Sequence, residues 1–426
     1  MAFRWTVHGD GRGLAPGDVV KPAERLSWPR MVGIGAQHVI AMFGATFVFP
    51  LVMGLDPNTA VMMSGVATIL FLLFTQGRIP SYLGTSASFV GGVVAVRAAF
   101  GGDTPGADQV VTGAAVMLIG FGLAYVVADV YWPQDPWIAL ITMVATFVFI
   151  VLFRGFLGRI GVLLGLVFGF ALSWLVDRVF GDITAFNAGT GQIDTHPRVS
   201  FQAVLDADWI GLPHFHAPSF QPSAVLVVLP AVIALIAENV GHVKAVGQMT
   251  GTDVDPQMGK AVIADGVGTA VATAVGGSPT TTYAENIGVM AATRVYSTAA
   301  YYIAAIIAIL FGLCPKFGAL VAATPGGVLG GVTVILYGMI GLLGAKIWVE
   351  NRVDFADPVN MVPVGAGIIL AIGPVTHQIT GDFSLAGIAL GTIVVLAGYH
   401  LLRAIAGRPA KEVSGGEIGF ERDAAV

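Results

Sequence analysis

The chain predicts an all-α polytopic membrane protein whose spans form two inverted repeats, each with one short broken helix at its functional centre. Three observations carry this. Of the 426 residues, 55% are hydrophobic and only 11% are charged, and mean hydropathy is +0.81; soluble domains carry about 25% charged residues. The apolar residues come in runs suited to membrane helices, six before a polar stretch at 181–222 and seven after it. The third run of each group is too short to span alone and follows turn chemistry: Pro80 and Tyr82 in GRIPSYLGTSASF, Pro279 and Tyr283 in GGSPTTTYAENIG. Matching short, Gly/Pro-flanked segments in two halves mark an inverted-repeat transporter with extended breaks near the membrane midplane. The 57 glycines suit such a bundle, since glycine lets helices pack closely and break inside it.

In chain order, residues 1–30 are polar, carry five basic side chains and lack an apolar core, which predicts a cytoplasmic tail and no cleaved signal peptide. Apolar runs follow at about 31–52, 59–75, 85–100, 109–128, 137–153 and 160–178. After the polar stretch come runs at about 223–242, 261–276, 281–293, 297–313, 326–344, 359–373 and 385–402. Cys314 is the only cysteine, so an intrachain disulfide and a multi-cysteine metal site are excluded. His214 and His216 form an HxH pair with no third candidate ligand near them in sequence. No P-loop, GxSxG or HExxH motif is present, and no enzyme activity and no cofactor are expected.

Basic residues set the orientation. In the second half Lys244, Lys260, Arg294, Lys346, Arg352, Arg403, Arg408 and Lys411 fall on one side when the runs alternate, with Lys316 the clear exception. That side is predicted to be cytoplasmic. Starting from a cytoplasmic N-terminus, Arg78 falls inside, but Arg154, Arg159 and every later basic loop then fall outside. One additional span between about 100 and 137 corrects them all. An inverted repeat also requires an odd number of spans per half. The chain is therefore expected to lack one helix that its architecture calls for.

Two carboxylates sit inside spanning sequence, Glu238 in AVIALIAENVGHVKAV and Glu285 in TTTYAENIGVM. A charged acid at bilayer depth costs roughly 2.5–3.5 kcal/mol even on the lenient insertion scale. No basic residue lies near either at mid-span depth, so a polar substrate site with a proton acceptor outweighs a buried ion pair. His242 is four residues after Glu238 and shares its helix face; carboxylate and imidazole together can exchange a proton near neutral pH. Lys244 reads as an interfacial charge. Glu285 and Asn286 open a half-helix after Tyr283 and Ala284, with free N–H groups at its start. The equivalent start in the first half is Thr85, Ser86 and Ala87. Backbone donors facing carboxylate acceptors suit a ring with alternating C=O and N–H groups; uracil is the smallest common example, and xanthine also qualifies. His38, alone on an apolar helix, reads first as a structural hydrogen-bonder, with Thr333 and Tyr337 as candidate partners. Asp265 is a third intramembrane acid, ranked below the glutamates.

The segments GAQHVIAMFGAT, PSYLGTSASF, AENVGHVKAVGQMTG and TTYAENIGVMAATRVYS closely resemble the nucleobase–ascorbate transporter family, also called nucleobase:cation symporter family 2, and within it the bacterial uracil and pyrimidine permeases. ENIGVMAATR, from Glu285 to Arg294, matches the family hallmark Gln/Glu-Asn-x-Gly-x4-Thr-Arg/Lys/Gly. The resemblance covers about residues 30–405. It implies fourteen spans in two inverted repeats of seven, proton-coupled uptake, a homodimer and a place in the cell membrane. It implies a core domain at 31–100 and 223–324 and a gate domain at 109–180 and 325–404, between tails at 1–30 and 405–426. It implies that Glu238 and Glu285 hold the base, that His242 is the adjacent site histidine, that Tyr283 and Ala284 meet the base before the second acid, and that His38 and Tyr337 form a hydrogen-bonded pair supporting the proton step. Ala87 stands where many uracil permeases carry Phe, which implies a wider pocket. VVTGAAVMLIGFGLAYV most resembles the family's fifth span, so the fourth is the one missing and thirteen remain.

The function expected is therefore a proton symporter importing uracil or a related pyrimidine, with membrane lipid around it and no nucleic-acid partner. A purine (xanthine or urate) permease of the same family is the nearest alternative, although Glu at 285 favours a pyrimidine. A non-transporting membrane protein, degenerate through the lost span, is the alternative of another class.

Overall fold

The computed structural model describes residues 4–14, 18–86, 109–154, 156–187, 192–218, 222–350, 352–373, 375–380 and 383–406. In chain order these form α1 (Trp28–Met53), α2 (Pro57–Phe74), β1 (Leu83–Thr85), α3 (Gln109–Gly122), α4 (Pro136–Leu152), α5 (Gly161–Phe180), α6 (Pro222–Thr250), α7 (Asp255–Ala274), β2 (Thr280–Thr282), α8 (Ala284–Thr293), α9 (Thr298–Gly312), α10 (Pro315–Ala322), α11 (Gly326–Glu350), α12 (Pro358–Ile372) and α13 (Gly387–Ile405). A helix lies along every predicted apolar run except 85–100, most of which falls outside the described residues. Among the described residues four helices are long and apolar enough to cross a membrane alone, and two bent pairs raise this to six. The bent pairs are Gly120–Gln134 with Pro136–Leu152, turned by 118°, and α9 with α10, turned by 80°.

Asp-Pro dipeptides start several helices. Asp56, Asp135 and Asp357 each accept a backbone N–H of the first turn, and the proline that follows takes the position where no N–H is needed. α1 ends at Gly54, in the left-handed conformation with φ 65°.

Two packing groups result. α1, α2, α7 and α9 pack on one another and enclose β1 and β2. α3 packs most extensively on α11, and also on α12 and α13, while α4 and α5 pack on each other and on α11. α6 touches both groups, meeting α7, β2 and α8 on one side and α3 and α13 on the other.

The centre of the first group is an antiparallel ladder of two strands, pairing Leu83 with Thr282, Gly84 with Thr281 and Thr85 with Thr280. All six residues are buried. On each outer edge one residue is paired by a helix threonine. The Thr68 hydroxyl, from α2, accepts the Leu83 N–H (2.9 Å) and faces its carbonyl (3.3 Å). The Thr269 hydroxyl, from α7, accepts the Thr280 N–H (3.0 Å) and donates to its carbonyl (2.8 Å).

Three regions depart from the sequence reading. The stretch 181–222, expected as a plain polar loop, holds a hairpin, Ile183–Asn187 with Gln192–His196, and a short helix, Gln202–Asp206. α10 lies where no apolar run was counted. The N-terminal tail is docked. Thr6–Val7 pairs with Glu24–Arg25, Val20 bridges Val295, and the Trp5 indole donates to the Thr298 hydroxyl (2.8 Å). Buried Val20, Leu26 and Met31 pack there with Val295, Ala299 and Ala300. The physical reason is amphipathicity too short-ranged to register as an apolar run.

Two predictions follow from these contacts. Thr68→Val or Thr269→Val leaves a buried N–H and carbonyl unpaired, and each should lower stability by about 1–3 kcal/mol, read as a fall in thermal midpoint; an unchanged midpoint in both would remove their role. The His8 ring lies 2.8 Å from Glu24 and 3.5 Å from Asp18, and the Glu24 contact raises its pKa above the ordinary value. A raised value means that protonation and docking favour each other. The tail should then be held fully below about pH 6.5 and loosen as pH rises through the folded-state value. Hydrogen exchange of residues 4–27 should show this rise, and His8→Gln should flatten it.

Candidate functional site

The ladder delivers the candidate residues to one place. β2 leads through Tyr283 directly into α8, so Glu285 stands in the first helical turn, where backbone N–H groups are free and a carboxylate is favoured. The Glu285 side chain is open to solvent space, whereas Glu238, one helix away on α6, is half-buried. The groups are within electrostatic reach of one another: Glu285 acts on His242, and Glu238 acts on both Glu285 and Asp265.

His242 is fixed by the ladder. Its Nδ1 lies 2.9 Å from the Thr282 carbonyl and 3.0 Å from the Thr282 hydroxyl. A carbonyl only accepts, so Nδ1 carries the proton and Nε2 is left with the lone pair in the neutral ring. Glu238 and His242 share one helix face as expected, but the hydrogen bond that orients the imidazole comes from β2.

Tyr283 is buried and closes the ladder from the other side. Its hydroxyl donates to the Thr85 carbonyl (2.7 Å) and receives the Thr46 hydroxyl (3.1 Å), and its backbone N–H donates to Tyr82 (3.0 Å). The ring lies against Gly84, where an added Cβ would sit 2.5 Å from the ring. Ser86 continues the ladder by donating its N–H to Pro279 (2.8 Å), and its buried hydroxyl has no partner among the described residues. Ala284 is the first residue of α8. Ala87 lies outside the described residues.

His38 and Tyr337 do not bond to each other in this arrangement of the helices. Both side chains are buried. The Asn286 amide sits 3.2 Å from His38 Nδ1 and donates to the His38 carbonyl (2.9 Å), while the ring stands 4.4 Å from Tyr301. His38 Nε2 and the Tyr337 hydroxyl have no partner among the described residues. Asn286 takes the place given to Tyr337 because α8 follows β2 into the α1 side of the packing, while Tyr337 sits on α11 in the other group.

Sequence reasoning missed Thr46, Thr68 and Thr269, which show no signal beyond a hydroxyl in an apolar helix. It undervalued the TTT run. Thr280 meets Thr269, the Thr281 hydroxyl faces Asp265 (3.4 Å), and Thr282 meets His242. Three consecutive threonines in a buried segment could have signalled such a junction.

A family model described as the Permease family (Xan_ur_permease) matches residues 30–131 and 105–380. The chain belongs to this permease family. Among curated relatives, RutG of Escherichia coli K12, provisionally named a pyrimidine permease, is 39% identical over 94% of this chain and 95% of its own length. The uracil permease of Escherichia coli K12 is 33% identical over 87% and 91%, and that of Bacillus subtilis 168 is 31% identical over 86% and 91%. Among solved structures, SLC26A9 aligns with a TM-score of 0.57 at 11% identity, covering 90% of this chain and 66% of that one. The transmembrane domain of the cyanobacterial bicarbonate transporter BicA aligns at 0.53 with 14% identity, covering 91% and 99%. At such identities the likeness concerns the fold alone. The permease is a multi-pass plasma-membrane protein and not an enzyme.

The close approach at Gly84 yields a test. Gly84→Ala drives a methyl group into the Tyr283 ring, so the Tyr283–Thr85 bond must open. Overpacking of this kind costs about 1–3 kcal/mol. Both the thermal midpoint and uptake should fall, and retained uptake would show that the ladder tolerates a wider spacing.

Proposed function

We propose that this permease imports uracil or a closely related pyrimidine base together with protons. The observation that carries the reading is that His242 is held by Thr282 at the end of a buried strand pair whose continuation places Glu285 in the first turn of α8, with Glu238 on the same helix as His242. A pyrimidine ring offers N–H groups to the two carboxylates, and its carbonyls suit the free N–H groups that open α8. His242 is the proposed proton partner, since its Nδ1 is committed to Thr282 and Nε2 can bind a proton. Tyr283, Ala284, Ser86 and Ala87 are the proposed neighbours of the ring, and His38 and Tyr337 remain the proposed second proton pair, formed when the two helix groups shift on each other. The names of the relatives support a pyrimidine, and Glu rather than Gln at position 285 argues against a purine.

In the same reading the group around the ladder is the core domain and the group around α11–α13 is the gate domain, in inverted repeats, and the permease is a homodimer. α3 then takes the place of the fifth span, because it packs on α11, α12 and α13. The fourth span is absent. In support, residues 105–131 are matched by both stretches of the family model, so one segment of this chain answers to two of the family's. The alignment to RutG runs over 436 positions, more than the 426 residues of the chain, and so includes positions with no counterpart here. This loss favours one second reading, a chain that binds the base but does not carry it.

Calorimetry and uptake separate these. Glu238→Gln or Glu285→Gln should weaken uracil binding by at least about 1.5–3 kcal/mol, the worth of a hydrogen bond to a charged group; unchanged affinity in both would refute the site. In proteoliposomes an inward proton gradient should raise uracil uptake and a protonophore should abolish it. Uptake that followed sodium and ignored protons would refute the role of His242. Binding without uptake would establish the second reading, and preference for xanthine over uracil would refute the pyrimidine assignment.

A further inference from the structure

Lys316 stands outside the basic-residue pattern, and its surroundings explain why. Its ammonium donates to the carbonyls of Val204 (2.7 Å) and Leu205 (3.3 Å) and lies 5.3 Å over the Trp209 ring. Its backbone N–H donates to Asp208 (3.0 Å), and Gly211 donates to Leu313 (3.0 Å). The segment 204–212 is thereby strapped to the bend between α9 and α10, at the opposite end of α9 from Arg294.

Held in this way, the segment turns its large apolar side chains outward. Leu205 is 71% exposed, Trp209 74%, Ile210 86% and Leu212 75%. A fixed apolar cluster of this kind is not a surface that a soluble face keeps without a partner. The neighbouring elements indicate the partner. Arg198, just before the segment, bridges Asp135 (2.7 Å) and Asp177 (3.0 Å), which brings the start of α4 and the end of α5 to the same end of the molecule. There Trp137 is 73% and Phe180 80% exposed. Both belong to apolar helices of a membrane protein, where tryptophans gather at the level of the lipid headgroups.

We propose that residues 205–212 lie in the boundary between headgroups and hydrocarbon of that leaflet, with Trp209, Ile210 and Leu212 inserted and Lys316 as the pin that holds them there. The segment lies at the same end of the molecule as the exposed Trp137 and Phe180 of α4 and α5, and the occupant is the phospholipid bilayer. Asp206 and Asp208 remain at headgroup level beside the indole. The Lys316 charge is committed to carbonyls and an aromatic face, which releases it from the rule that places basic residues on the other side.

Site-directed spin labelling tests this in the full-length permease in phospholipid vesicles. Cys314→Ala removes the native thiol, and Ile210→Cys, Leu212→Cys or, in the hairpin, Gln192→Cys carries the nitroxide. Labels at 210 and 212 should collide several-fold more with oxygen, which partitions into lipid, than with a water-soluble nickel chelate, and the order should reverse at 192. Lys316→Ala should shift the label at 210 toward the nickel chelate, and Lys316→Arg should not. Preference for nickel at 210 and 212 would overturn the proposal in favour of a hydrated loop. Exclusion of both reagents would overturn it in favour of a second copy or another protein covering the patch. An unchanged profile in Lys316→Ala would overturn the pinning role.

Discussion

A strand pair buried among helices has two bare edges, and in an apolar interior each unpaired backbone group costs several kcal/mol. β1 and β2 satisfy one edge each with the other. On the outer edges, Thr68 serves Leu83 and Thr269 serves Thr280, from the helix before each strand, while Tyr283 binds the Thr85 carbonyl and His242 the Thr282 carbonyl. A threonine hydroxyl suits this because it donates and accepts at once, so one side chain serves the N–H and the carbonyl of the same residue. Leucine or valine at either position would fill the volume and leave both groups unpaired. The rest of the site depends on this closure.

From the ladder the chemistry is placed by short chain lengths. Glu285 is three residues beyond Thr282, too few for its position to vary independently of the strand. His242 is on another helix but binds Thr282 directly, so imidazole and carboxylate share one reference point. Asn286 binds His38 on α1, which holds the far side of α8. The polar groups of the site are thus oriented by backbone hydrogen bonds as well as by packing, and such bonds tolerate little drift in length or angle. A site organised in this way presents a fixed pattern of donors and acceptors to a small planar ligand.

How legible this was varies with the physics behind each element. The helices were read from runs of apolar residues, because burial in lipid demands composition and little else. The strand positions were read from Pro80 and Pro279 with the polar residues after them, since a break in an apolar segment needs visible chemistry. The two segments were expected to be extended near 84–88 and 282–286 and to meet. They do pair, but earlier in the chain, at Leu83–Thr85 and Thr280–Thr282, because the helix already begins at Ala284. The register was not read, because nothing local encodes which residues will face each other. The acids stood out by the cost of charge in hydrocarbon. Thr46, Thr68 and Thr269 did not, as a helix threonine bonding its own preceding turn and one closing a distant strand look identical in sequence. His38 was given Thr333 and Tyr337 as candidate partners, and in this arrangement Asn286, adjacent to Glu285, is the residue within reach. The docking of the N-terminal tail was not read, because its apolar residues, Trp5, Val20 and Leu26, are scattered among polar ones and find their partners only across the chain.

The distribution of these residues bears on what a missing span would remove. Glu238, His242, Asp265, Glu285 and Asn286 all lie in the second half of the chain. The first half contributes His38, Thr46, Thr68 and Thr85, and each of these precedes the point where the break in charge parity falls. If the fourth span is absent, the acids, the ladder and its closures therefore keep every contact described above. α3 also keeps its packing on α11, α12 and α13. On the proposed function, binding of the base and its translocation would thus rest on different parts of this chain. Binding would draw on residues placed by the ladder, whereas translocation would require the two helix groups to move on each other.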